Sequence, residues 1–232
     1  MLLSTFIPHP SSLLLAALLP LPLTAATSFT QSWSSGFEAN GLVPDGNPTG
    51  WSDSRTLSSV PITSITDLNV SLTITGGAVG DLFIYLSNGS YAAILLNRPG
   101  KTSSDDFGFA DEGFSITFDD SGPNGDSHLT LTGPSLLSGG SWEPDARPAN
   151  PYDVLDSSPR SSFLNGFNTY NPNTTWTLFV ADMVSGSSST VSSWGLSINS
   201  PSAVPEPSAS IASSLSLSWA LSTTRQRRRH RI

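Results

Sequence analysis

"ITDLNVSLTITGG", Ile65 to Gly77, puts Leu68, Val70, Leu72 and Ile74 on one face of an extended chain and Asn69, Ser71, Thr73 and Thr75 on the other. A period of two marks a half-buried β-strand, because successive side chains of an extended backbone point to opposite faces. The Gly76-Gly77 pair is expected to break it. In "GDLFIYLSNGS", Leu82, Ile84 and Leu86 alternate with Phe83 and Tyr85, and Asn88-Gly89 offers a two-residue hairpin turn before a returning strand from Tyr91 to Leu96. "FSITFDD" (114–120), "HLTLTG" (128–133), "TWTLFVAD" (175–182) and "VSSWGLSI" (191–198) repeat the pattern between turn residues. No stretch carries apolar residues at helical spacing. The expectation is an all-β fold, a jelly-roll β-sandwich. Trp176, Leu178 and Val180, with Trp194, Leu196 and Ile198, are expected to line the inner faces of its closing pair of strands. Pro134 to Tyr152, rich in Pro, Gly and Asn, reads as a long loop.

The 232 residues suffice for one domain with a core. Between residues 27 and 200 five basic residues stand against seventeen acidic ones, a net charge of −12. Such a surface repels phosphate, so nucleic acid is excluded as a partner and cations are favoured. Cysteine is absent, which removes disulfides, thiolate metal sites and cysteine nucleophiles.

The ends differ from the middle. Leu13 to Leu23 is an apolar run followed by Thr24 and Ala26 at the −3 and −1 positions of a cleavage site, so residues 1–26 read as a secretory signal peptide. Residues 201–232 hold Pro205-Glu206-Pro207, then an apolar segment, then a cluster containing Arg225, Arg227, Arg228 and Arg229. This order resembles the PEP-CTERM sorting signal of bacterial exported proteins. The resemblance implies an exosortase-type processing enzyme as a partner and a transient membrane association, with the arginines held on the cytoplasmic side. It also implies localisation to the cell envelope or extracellular matrix of a bacterium.

Within residues 27–200 the motifs Val43-Pro44-Asp45-Gly46, Val79-Gly80-Asp81-Leu82 and Leu95-Leu96-Asn97-Arg98-Pro99-Gly100 occur in that order. "FLNGF" (163–167), Trp176-Thr-Leu178, Asp182 and Val191 to Ile198 follow. Together they resemble the P domain (P/Homo B), the β-rich module that follows the catalytic domain in subtilisin-like proteases. The resemblance implies a non-catalytic binding or structural module associating with such a protease in trans.

A serine hydrolase needs a base, and once the signal is removed only His128 and His230 are available. His128, beside Gly125-Asp126-Ser127, reads as a strand-start residue, and no catalytic residues and no enzymatic activity are expected. Asp105, Asp106, Asp111, Glu112, Asp119 and Asp120 fall within 16 positions. Calcium takes six to eight oxygens, so these six are the candidate ligands of a calcium cofactor. The other reading of them is a solvated acidic edge that deters strand pairing. The rival function is a carbohydrate-binding or carbohydrate-cleaving jelly roll that contacts a surface polysaccharide through Trp51, Tyr85, Trp142 and Tyr152.

Overall fold

The computed structural model describes residues 27–200, apart from 134–135 and 137–138. The sorting and processing residues Ala26, Pro205, Glu206, Pro207, Arg225, Arg227, Arg228 and Arg229 lie outside the described residues. Strands β1 (Thr27–Trp33), β2 (Asn47–Thr56), β3 (Asp67–Ala78), β4 (Leu82–Ser87) and β5 (Ala92–Asn97) are followed by β6 (Glu112–Phe118), β7 (Ser141–Trp142), β8 (Thr175–Asp182) and β9 (Thr190–Ser200). One sheet has the order β1-β9-β3-β6-β7 and the other β2-β8-β4-β5. All pairings are antiparallel except β6 with β7. The chain crosses repeatedly from one sheet to the other, giving an all-β sandwich with connections of the jelly-roll kind.

The alternation in β3 is realised residue by residue: Leu68, Val70, Leu72 and Ile74 are buried. Slipping this strand by one residue would turn all four outward, at about 1.5–3 kcal/mol each, so its register is firmly set. Gly76-Gly77 does not end the strand. Both glycines adopt positive φ, +67° and +66°, and the register with β6 shifts between Ile74 and Ala78, so the pair makes a bulge that the strand passes through.

Two further expectations need correction. β8 and β9 do not pair with each other. β8 lies between β2 and β4, and β9 between β1 and β3, so Trp176, Leu178 and Val180 face Trp194, Leu196 and Ile198 from opposite sheets. "HLTLTG" is not a strand either. Ser127–Thr130 forms the helical turn α1, with Asp126 at its N-cap accepting the His128 main-chain N–H at 3.0 Å.

The Pro134 to Tyr152 segment contains the two-residue β7, and beyond it covers the outer edge of β5. Asp145 N–H donates to Leu95 O and Ala146 N–H to Ile94 O, each at 2.9 Å. That contact brings Asp145 into the interior, where it is wholly buried.

Candidate functional site

Two buried polar clusters follow from this wiring, and they differ in charge balance. The first surrounds His128, which is wholly buried. Its Nδ1 lies 2.8 Å from Asp145 Oδ2 and its Nε2 lies 2.9 Å from the Lys101 carbonyl oxygen. An ionised carboxylate and a carbonyl can only accept, so satisfying both bonds assigns a proton to each ring nitrogen, making the group an imidazolium. Burial pulls the His128 pKa down, but the hydrogen bond and charge of Asp145, with the Lys101 carbonyl, raise it on balance.

Arg147 donates to both oxygens of Asp126, at 3.1 and 2.8 Å, and to Asp145 Oδ1 at 3.2 Å. Arg160 pairs with Glu143 at 2.8 Å and approaches Asp126 at 3.6 Å. Three cations thus face three carboxylates: His128, Arg147 and Arg160 against Asp126, Asp145 and Glu143. The arrangement is a neutral strut between α1, the 143–147 segment and the end of β5. His128 has no free nitrogen with which to act as a base, and it sits on a capped helical turn rather than at a strand start.

The strut has a pH signature. A folded pKa above the unfolded value of about 6.5 means that the stabilisation is complete below that pH and is lost as pH rises through the folded value. Urea unfolding between about pH 5.5 and pH 9 should therefore show the native protein losing stability relative to His128→Gln. A flat difference across that range would contradict a buried imidazolium.

The six carboxylates expected as calcium ligands lie in three places. Asp105 and Asp106 sit in the turn after β5, where Asp105 Oδ1 accepts the N–H groups of Phe107 and Gly108 and the Asp106 side chain is exposed. Asp111 receives the Thr132 hydroxyl and the Gly133 N–H, and Glu112 is exposed at the start of β6. Asp119 and Asp120 lie beyond its other end, roughly 20 Å along the strand at 3.3 Å per residue. They line an open cleft of about 220 Å³ together with Thr66, Asp67, Leu68, Ser121, Asn165 and Asn168. Asp120 accepts N–H bonds from Leu164 and Asn165 at 2.9 and 2.6 Å, and burial raises its pKa. Proximity in sequence therefore does not gather these six. Among the described residues, no group of three or more histidines and carboxylates is placed to hold a metal ion.

The second cluster, buried at Asp81 and Asp182 and exposed at Asp45, draws on residues that the sequence displays only as parts of motifs. Asp45 precedes β2, Asp81 precedes β4 and Asp182 ends β8, between Asn47 of β2 and Leu82 of β4. Asp182 is wholly buried and its Oδ2 has no hydrogen-bond partner, while Oδ1 accepts the Val184 N–H at 3.2 Å. Its pKa is pushed up to about 6, by burial first and then by the charges of Asp81 and Asp45, against the lowering pull of the Val184 and Gly46 main-chain N–H groups. Burial likewise raises Asp81, with Arg98 opposing and Asp45 adding. The available signal was positional: each aspartate stands at the terminus of a strand in one sheet, and strand order decides whether such termini meet.

Of the aromatic side chains expected to form a sugar platform, Trp51 and Trp142 are buried in the core. Tyr85 is half-buried and stacked on Phe179, with centroids 4.8 Å apart, and Tyr152 is exposed.

No protein-family profile and no curated protein sequence matches the chain. Among solved structures, it is similar to the serine protease of Aeromonas sobria in complex with its chaperone, at 17% identity over 80% of this chain, with a TM-score of 0.43. It is also similar to that serine protease alone, at 14% identity over 78% of this chain, with a TM-score of 0.42. The chain spans 28% of the length of each of those chains.

Proposed function

We propose that the chain is an exported, non-catalytic binding or structural module of the P-domain kind. On this reading exosortase-type processing of the Pro-Glu-Pro tail delivers it to the envelope or extracellular matrix of a bacterium, where it associates with a subtilisin-like serine protease. The observation that carries the non-catalytic part is the state of His128. The ring is enclosed, both nitrogens are held by acceptors, and the neighbouring Ser127 hydroxyl is itself buried. A base in that condition can neither reach a substrate nor accept a proton. The motifs that resemble the P domain support the other part, because Asp45, Asp81 and Asp182 come from three of them.

The reading is tested with the purified chain. It is expected to hydrolyse neither peptide nor ester substrates and to slow the thermal inactivation of a subtilisin-like protease that has no such module of its own. Turnover that co-elutes with the chain would sink the first part, and an unchanged inactivation rate the second. Mass spectrometry of the extracellular chain should find its C-terminus near Pro205 to Pro207.

A further inference from the structure

Each sheet has two edges, and three of the resulting four are guarded. The 145–146 main chain and the Ser162 carbonyl hydrogen-bond to β5 at Ile94 and Leu95. β7 is two residues long, and Pro123 bridges to its Trp142 while Asp126 bridges to the adjoining Glu143. β2 carries Pro48, a bulge between Asn47 and Trp51, and an inward Asp53–Arg55 ion pair at 2.7 Å. Such devices keep strand edges from pairing with other chains. β1 has none of them. Thr27 to Trp33 contains neither proline nor a charged residue, and all seven of its residues pair with β9 without a register shift. Among the described residues, no main-chain group outside the β9 ladder hydrogen-bonds to the β1 main chain, which receives only the exposed Gln31 side chain, at Ser32 O and 3.1 Å.

We infer that β1 is the docking edge for a second copy of this chain, the two β1 strands pairing antiparallel about a twofold axis centred on Thr30. Charge selects this occupant. Neither β1 nor β9 carries a charged side chain, whereas residues 27–200 carry a net −12, so this flank is where two acidic bodies can meet without strong repulsion. A second copy brings the same uncharged flank with it. The strand is also self-complementary. Antiparallel pairing centred on Thr30 sets Ser28 opposite Ser32 and Phe29 opposite Gln31 of the second copy, so paired residues share a face. Phe29 and Trp33, which pack against the core, therefore stay on the inner side in both copies. The two larger sheets join into one continuous sheet, with main-chain hydrogen bonds supplying the affinity. Because the contact uses the open edge of each copy, it closes at the dimer and does not grow into a fibre. An edge contact of this length buries less than the ~1,200 Å² of a standard stable interface, which makes the association weak, with a Kd on the order of tens of micromolar. It is independent of the protease partner proposed above, since it is read on the chain alone.

The test is sedimentation velocity of the exported chain, purified, from about 1 to about 300 μM, a range that brackets such a Kd. The average mass should rise from monomer towards dimer and go no further. Thr30→Lys, at an exposed position, sets lysine opposite lysine and should weaken the association by about fivefold or more at low ionic strength, with the Tm unchanged. Thr30→Glu should do the same. An equimolar mixture of the two variants should recover the dimer, because only a twofold axis at Thr30 puts position 30 opposite itself. If Thr30→Lys does not fold, Ser28→Lys combined with Ser32→Lys, mixed with the matching Glu pair, takes its place. A chain that stays monomeric across the range, as when residues 201–232 or another protein hold the edge, overturns the inference. So does association that Thr30→Lys leaves unweakened, a mixture that associates no better than either variant alone, or growth beyond the dimer.

Discussion

Asp145→Ala is expected to lower the unfolding free energy by about 3–5 kcal/mol, the usual result of removing one partner from a buried ion pair. The carboxylate accepts from His128 Nδ1 at 2.8 Å, from the Asn97 N–H at 3.1 Å and from Arg147 at 3.2 Å. Truncation strips an enclosed imidazolium of its counter-charge and orphans a β5 main-chain donor. Arg147 suffers less, because its two bonds to Asp126 remain. The measurement is the urea midpoint at about pH 6, where the imidazolium is fully formed. A double variant with His128→Leu should fall well short of the sum of the single losses, because the charge that truncation strands is then gone. Additivity would show that Asp145 acts through something other than His128.

Trp194→Ala is the second large loss, about 3–5 kcal/mol for a buried aromatic ring removed to Cβ. The ring stands against Trp33, with centroids 4.4 Å apart, and its Nε1 donates across the sandwich to Asp53 Oδ2 at 2.8 Å. Trp194→Phe separates the two contributions. It keeps most of the volume and removes the donor, so the loss should fall to about 1.5–3 kcal/mol, the range for a hydrogen bond to a charged group. Arg55, which also donates to Asp53 at 2.7 Å, holds that value towards the lower end. Equal losses in the two variants would mean that the cross-sheet bond, and not the packing, carries Trp194.

The strands read correctly from the sequence are those whose inward faces are mainly apolar. β3, β4, β6, β8 and β9 each bury alternate Leu, Ile, Val, Phe or Trp, so the period of two is visible without the structure. β2 was not visible, because its inward positions run Trp51, Asp53 and Arg55. Asp53 is tolerated inside only because Trp194, contributed by the opposite sheet, donates to it. β1 is an edge strand whose main packing residues are Phe29 and Trp33, too few to set a pattern.

In "HLTLTG" the alternation was a decoy. Leu129 is exposed, while His128 and Leu131, three apart, are the buried pair, and Asp126 two residues before His128 was the better signal as a cap. The acidic residues carry the same lesson for sites. Six carboxylates crowded along β6 and its flanks serve separate turns and separate stretches of surface. Asp45, Asp81 and Asp182, far apart in the chain, act on one another's charges, because sheet order places the ends of β2, β4 and β8 side by side.

The first strand hydrogen-bonds to the last, Thr27 opposite Ser200 and Trp33 opposite Trp194. A polypeptide released N-terminus first, from a ribosome or through a secretion pore, cannot finish the larger sheet until some 170 residues later, so no stable half-sandwich precedes complete emergence. Folding then depends on contacts between distant parts of the chain, which makes it slow, and during that interval the unpaired flank of β9 is open to strand exchange with a neighbouring copy.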